Sequence, residues 1–402
     1  MIEAITYKQW VSVDRCTFET FCKTVMEEFI ESFCEQLVAL KKHSFISTQQ
    51  SKYYKDLKEQ IQENEAVVSL DFSENYSFVV QDEAQFFHWN NDQATVHPFA
   101  VYYNEKEEIK YTSFVIISKC LIHDSIAVHL FQRKLISFLK SNVLPSLKKI
   151  YYFSDGSAAQ YKNRKNFINI CSHEQDFGIK TEWHFFATAH GKGTCDGLGG
   201  TVKRLAAKAS LQRPYDKHIM TPLQLFQWSE ENITSIKFEY CSNLEYSEEE
   251  SLLKYRIKEA ETIKGTQQFH TFIPLSLTEL KCKIFSSSDE SSIQGIVEGG
   301  KSLTLDGVSG YVTCEYDRRW WLASVLSKDN NSEDVDLTFL HPSGPAPSFV
   351  FPHKPDILKV KISQILTKVN PKTATGRTYV ISQNEAVAAT KSLNSRLRFT
   401  SI

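Results

Sequence analysis

No apolar run in this 402-residue chain approaches the roughly 20 residues needed to cross a bilayer; runs such as Phe114-Val-Ile-Ile117 are only long enough for sheet core. No secretory signal is read at its start, so a membrane or secreted protein is not expected. Neither sign of charge dominates. Lys+Arg number 46 against Asp+Glu 48, a net charge of −2, so bulk electrostatics would not draw the chain onto nucleic acid and any such affinity must come from local patches. The nine cysteines, at positions 16, 22, 34, 120, 171, 195, 241, 282 and 314, are odd in number and scattered without pairing rhythm. They read as reduced thiols of the cytosol or nucleus. Several motifs are also missing. Gly191-Lys-Gly193 lacks the Gly-Lys-Ser/Thr end of a nucleotide-binding loop, Ser154 and Ser157 lack a Gly-x-Ser-x-Gly setting, and there is no tight Cys-x-x-Cys for zinc. A zinc set could otherwise be drawn only from Cys171, His173, His190 and Cys195.

What is present is ordinary globular composition, 42% hydrophobic, 12% aromatic and 23% charged, in a chain long enough for two or three domains. Phe18, Phe21, Val25, Phe29, Phe33, Leu37 and Leu40 recur at helical spacing and predict an amphipathic helix. A second helix is expected over about Gln50 to Glu63. This arm either packs on the core, contacts DNA or dimerises. Val67 to Leu70 then reads as a buried strand ending at Asp71, with further strands to Tyr103 and over Tyr111 to Ser118. A helix from about Ser125 to Leu144 follows, closed by Pro145. Lys149 to Phe153 is a strand ending near Asp155, and Thr181 to Thr188 another, before a glycine-rich turn and a helix from near Thr201.

This order predicts an α/β fold with a mixed sheet. The domains expected are a helical arm over 1–65, an α/β core over 66–215, a helical extension over 216–288 and, past the polar linker Ser286 to Ser292, a small SH3/Tudor-sized β-barrel over 295–370. A polar, poorly ordered tail occupies 371–402.

Phosphodiester cleavage by two metal ions needs carboxylates from separate elements converging on one point, and magnesium, a hard cation that keeps several waters, needs only two or three. Asp71, Asp155 and Asp196 are the candidates, since sites in open α/β sheets form beyond the carboxyl ends of strands. The segments Leu70-Asp-Phe-Ser-Glu-Asn-Tyr76, Tyr152-Phe-Ser-Asp-Gly156 and His190-Gly-Lys-Gly-Thr-Cys-Asp-Gly197 resemble the three acidic blocks of eukaryotic cut-and-paste DNA transposases. The resemblance spans about residues 10–285 and is strongest over 66–213. It implies an RNase H-like core whose three acids bind two Mg²⁺ or Mn²⁺ ions, cut DNA and join strands. It further implies a nuclear protein acting as a homodimer on double-stranded DNA, at transposon ends and target. Many such proteins carry Cys-x-x-His after the second acid, where this chain has the shorter Cys171-Ser-His173.

Glu74 and His190, each flanking a candidate ligand, are expected to support the site. DNA contacts are expected from Lys162, Arg164, Lys165, Lys192, Lys203, Arg204, Lys208 and Arg213, cations close to the acids that could hold the phosphate backbone. Two other readings stay open: a domesticated, inactive transposase-derived protein that binds DNA or chromatin, and an RNase H-like nuclease. In the barrel candidate, Tyr316, Trp320, Trp321 and Phe339 either form a cation-binding cage that contacts a chromatin partner or simply fill its core.

Overall fold

The computed structural model describes residues 4–13, 16–79, 92–188, 193–214, 218–297, 305, 307–329, 332, 334–345 and 347–399. The chain opens with an antiparallel hairpin of β1 (Ala4–Val13) and β2 (Cys16–Val25), in register from Ala4↔Val25 to Val13↔Cys16. A single 34-residue helix, α1 (Met26–Glu59), follows. The expected helix from Phe18 is therefore corrected. Its first eight residues are strand, where β-branched Thr20 and Thr24 suit a pleated ribbon, and the two predicted helices are one. The first half of α1 leaves Ile30, Phe33, Leu37 and Leu40 exposed. Burial begins at Ile46 and Gln50. Gln50 is an anchor: its amide donates to the Phe185 carbonyl at 2.8 Å and accepts the Ser286 N–H at 2.7 Å.

The central body is a mixed sheet of ten strands flanked by helices. Its elements are, in order, β3 (Glu65–Leu70), β4 (Tyr76–Ser77), β5 (Gln93–Glu105), β6 (Glu108–Ser118), α2 (Ser125–Asn142), β7 (Lys149–Ser154), α3 (Arg164–Phe177), β8 (Lys180–Phe185), α4 (Thr194–Leu211), α5 (Pro222–Asn232), β9 (Lys237–Cys241), α6 (Asn243–Glu259), β10 (Thr271–Pro274), β11 (Glu279–Lys283) and β12 (Ser292–Gly295). The strand order is β12-β11-β10-β8-β7-β3-β5-β6-β9, with β4 on β5. β3, β7 and β8 run parallel, while β5 is antiparallel to β3 and to β6. The β5–β6 hairpin closes on Lys106 and Glu107 at φ 56° and 67°, the two left-handed positions that a tight right-twisted hairpin requires.

Both faces of β3 are covered, which is why Ala66 to Leu70 reads as an unbroken apolar run rather than an alternation. Ala66, Val68 and Leu70 face a core shared with α2, α3 and α6; Val67 meets Phe153 and the end of α1 on the other side. α4 and α5 cover the far part of that second face, over Val96, Val115 and Ile117. On the first face His129 of α2 lies between Asp176 of α3, at 2.9 Å, and Glu249 of α6, with Arg256 on Asp176 at 2.7 Å and Arg133 on Glu249 at 3.0 Å. The segment expected as a helical extension is mixed: its strand β9 forms one edge of the sheet on β6, and its strands β10 and β11 extend the other side beyond β8. Nor is Ser286 in a free linker. Its hydroxyl lies buried 2.9 Å from His184 Nδ1.

A second, seven-stranded antiparallel sheet follows: β13 (Tyr311–Tyr316), β14 (Arg319–Asp329), β15 (Asp334–Pro342), β16 (Ser348–Val350), β17 (Ile357–Lys361), β18 (Ile365–Val369) and β19 (Thr378–Val380), and then α7 (Gln383–Phe399). The expected disordered tail is corrected, because β19 pairs with β16 and α7 carries Ala389 and Leu393 into the interior.

One close approach sets the position of α4. A Cβ on Gly199 would lie 1.9 Å from Ser73 Oγ and 3.1 Å from Ser73 Cβ, so any larger residue there forces the Ser73 side chain to turn away and the helix to shift from the loop after β3. Gly199→Ala is expected to cost about 1–3 kcal/mol of unfolding free energy, and Ser73→Gly, which removes both opposing atoms, to recover most of it. A double-mutant cycle by urea denaturation measures this; additive losses would contradict the contact.

Candidate active site

β3 and β7 pair in parallel from Glu65↔Lys149 to Ser69↔Phe153. Two residues further along this register lie Asp71 and Asp155, side by side just past the strand ends, where neighbouring strands are about 4.8 Å apart. The backbone fixes both. The Asp71 N–H donates to the Pro98 carbonyl at 3.5 Å and the Ser73 N–H to the Val96 carbonyl at 3.0 Å. Asp155 Oδ1 accepts the Ser157 N–H at 3.1 Å, and beneath it Ser154 Oγ accepts from the Trp183 indole at 3.0 Å. The Phe72 ring, stacked on His123 at 4.3 Å and edge-on to His97 at 4.4 Å, plugs the space behind. Asp71 and Asp155 line one cavity of about 210 Å³ with Tyr54, Ser69, Phe186 and Cys195.

The electrostatics of this pair are unfavourable as it stands. Burial, then the charges of Asp155 and Asp196, push the Asp71 carboxyl up to about 7. Asp155 is raised by burial and by Asp196, against the pull of its hydrogen bond from Ser157. Among the described residues no Lys, Arg or His forms an ion pair with any of the three. Half-buried carboxylates that repel one another without a cationic side chain are the donor set a hard divalent cation satisfies. Asp71 and Asp155 fit such an ion.

Asp196 takes a different position from the one expected. It lies in the first turn of α4, not in a turn before a helix at Thr201, and its Oδ2 accepts the Gly193 N–H at 2.8 Å. It is exposed, does not line the cavity, and complements the helix N-terminus. Among the described residues no three His, Cys, Asp or Glu side chains converge closely enough to hold a metal ion together. The geometry is a pair of carboxylates with a third acid at the rim.

Residues 50–286 match a family described as domain of unknown function DUF8701, and residues 1–41 match a second, domain of unknown function DUF8700. The chain belongs to the DUF8701 family. No curated protein and no solved structure matches it. The two matched stretches divide within α1, where the exposed half of the helix gives way to the buried half at Ile46 and Gln50.

The expected basic surface is only partly assembled. Arg204 and Lys208 are exposed on one face of α4. Lys203 instead donates to the Glu74 carbonyl at 3.1 Å, which ties α4 to the loop after Asp71, while Glu74 itself is exposed and lies outside the cavity lining. Lys162 is corrected outright. It is buried, donates to the Gln267 carbonyl at 3.3 Å and lies over the Phe185 ring, and burial lowers its pKa to about 8. Arg164 donates to the Ala260 carbonyl at 2.6 Å, Lys165 is half-buried, and Arg213 stacks over Trp228. His190 and Lys192 lie outside the described residues.

Nor do the described zinc candidates, Cys171, His173 and Cys195, form a metal-holding group. Cys171 Sγ reaches the Glu279 carbonyl, His173 Nδ1 the Ile179 carbonyl at 2.8 Å, and Cys195 Sγ the Ser69 carbonyl at 3.3 Å. Sequence reasoning missed Tyr54, whose hydroxyl lies 2.6 Å from Ser69 Oγ in the cavity wall. Tyr54 falls within the second helix expected over Gln50 to Glu63, where an aromatic residue carries no sign of a site.

Burial and charge repulsion at Asp71 make stability depend on pH. The folded chain holds a proton on this group between about pH 4 and 7 that the unfolded chain has lost, so its contribution to stability is present below about pH 4 and disappears as pH rises through 7. In chelator-treated buffer, Asp71→Asn is expected to be more stable than the parent by about 1–3 kcal/mol at pH 8 and equal to it at pH 3.5. Chemical denaturation at both pH values checks this. A less stable variant at pH 8 would show that the charge is compensated.

Proposed function

We propose that the chain is the catalytic core of a DNA transposase, cutting and joining DNA strands with divalent cations. The observation that carries this reading is the placement of Asp71 and Asp155 at the carboxyl ends of adjacent parallel strands, with Asp196 opening the helix after the next strand. A first strand flanked by an antiparallel pair on one side and parallel strands on the other, in the order β6-β5-β3-β7-β8, supports an RNase H-like core. The C-terminal sheet is read as an SH3/Tudor-like barrel serving as an interaction module.

Asp71 and Asp155 would hold Mg²⁺ or Mn²⁺, with Asp196 joining on release from Gly193. Such ions would supply stabilisation of the charge developing on a phosphodiester and would lower the pKa of water. The chain's own residues do the rest. Exposed Arg204 and Lys208 grip the DNA backbone beside the acids, and the aromatic wall behind Phe72 keeps the two aspartates from turning inward. Double-stranded DNA is the proposed substrate, held by a homodimer in the nucleus, with a chromatin partner on the barrel.

A second reading, a domesticated protein that binds DNA without cutting it, is favoured by one observation: Asp196 is engaged in capping its own helix. The purified full chain is expected to nick labelled duplex DNA with Mn²⁺ or Mg²⁺, and Asp71→Asn and Asp155→Asn to reduce the rate by about 100-fold or more while retaining DNA in a gel shift. Arg204→Ala with Lys208→Ala should weaken retention and flatten its salt dependence. Retention without nicking by the parent chain would favour the domesticated reading. Preferential cleavage of RNA–DNA hybrids would favour a nuclease of the same fold.

A further inference from the structure

Strand alternation divides the aromatic residues of the second sheet between its two faces. Trp320 and Trp321 are neighbours on β14, so they point oppositely. Trp320 meets Phe349 at 5.9 Å and donates its indole N–H to Thr390 Oγ1 at 3.0 Å, under α7. It is therefore no part of the expected cage. Trp321 lies on the other face with Tyr316 and Phe339, at the end of a core made by Val312, Cys314, Ala323 and Leu337. Those four are fully buried. The core closes beneath Tyr316, which stays 52% exposed with its ring centroid 6.5 Å from that of Phe339. The β13–β14 turn holds it there: Asp317 and Arg318 take left-handed φ of 51° and 58°, and the Trp321 indole N–H donates to the Tyr316 carbonyl at 3.3 Å. Tyr316, Trp321 and Phe339 line a cavity of about 300 Å³ that also includes His341, Asp356 and the first two residues of β17, Ile357 and Leu358. Asp356 brings the cavity's one carboxylate, 3.0 Å from His341 Nε2.

Three aromatic rings and a carboxylate line this small open cavity, the composition that suits a weakly hydrated cation, since rings attract it and a carboxylate balances it. The rim indicates how that cation arrives. Ile357 and Leu358 are exposed, and β17 pairs with β15 alone among the described residues. Among the described residues no other strand pairs along its outer edge, where an extended chain could add as a strand and send one side chain into the neighbouring pocket. We propose, resting on the reading of this sheet as an interaction module, that this cavity binds the methylated ammonium of a lysine side chain carried on an extended peptide.

The test uses the full chain and a fluorescent Gly/Ser/Ala dodecapeptide with one central lysine, unmodified or Nε-trimethylated, in a polarisation assay. Free phosphocholine serves as the competing source of the same headgroup chemistry. The trimethylated peptide is expected to bind at least about fivefold more tightly than the unmodified one, the weight of a single ring–cation contact. Tyr316→Ala and Asp356→Asn should each remove that preference, with the thermal transition unchanged because both side chains stand at the surface. Trp320→Phe, on the opposite face, should keep it. Equal affinity for the two peptides, or a preference that survives Tyr316→Ala, would overturn the site. Phosphocholine competing at concentrations as low as the peptide's would overturn the assignment to a peptide.

Discussion

The parallel pairing of β3 with β7 is the constraint on which the site depends. A slip of one residue would set Ser154 beside Asp71 and turn Asp155 away, because side chains alternate along a strand. Several contacts hold the register. The Lys148 N–H donates to the Asn64 carbonyl at 2.7 Å, just before both strands begin. At the other end the Tyr54 ring packs on Phe153 at 4.7 Å while its hydroxyl holds Ser69. The last turns of α1 thus clamp the ends of the strands that present the two aspartates, and Gln50 fixes α1 to the neighbouring strand β8.

Two acidic clusters in this protein differ in how their charge is met, and the difference separates structure from candidate chemistry. Burial pushes Asp176 and Glu249 up, but hydrogen bonds from His129 and the charges of Arg256 and Arg133 bring both below the ordinary carboxylate range. That network ties α2, α3 and α6 together and is complete within the chain. Asp71 and Asp155 move the other way. Their neighbours add repulsion, and no cationic side chain among the described residues offsets it. A group of acids left in this condition costs stability, a cost the fold maintains where a cation or a proton can answer it.

Much of this arrangement was legible in the residues. Val67 to Leu70 and Lys149 to Phe153 are short apolar runs that stop at an acid, which identifies buried parallel strands and places the carboxylates at their ends. Asp196 was misplaced because Gly197, Gly199 and Gly200 are poor helix formers; α4 nevertheless starts at Thr194, where Asp196 accepts the Gly193 N–H and complements the helix N-terminus. Phe18, Phe21 and Val25 satisfied a helical period while belonging to a hairpin, since three apolar residues at such spacing also fit a ribbon. Lys162 looked like a surface cation in a basic cluster, and only the fold shows it threaded under the loop of Asp155. Cage membership turned on a single register: adjacent tryptophans cannot share a face of one strand.

The central claim is that Asp71 and Asp155 together form a divalent cation site. Its most direct test is a crystal structure of the full chain grown with Mn²⁺ and measured at the manganese absorption edge. The account predicts an anomalous peak between the carboxylates of Asp71 and Asp155, within coordination distance of both. Asp71 closed onto a lysine or arginine side chain, with no peak at the ends of β3 and β7, would contradict it.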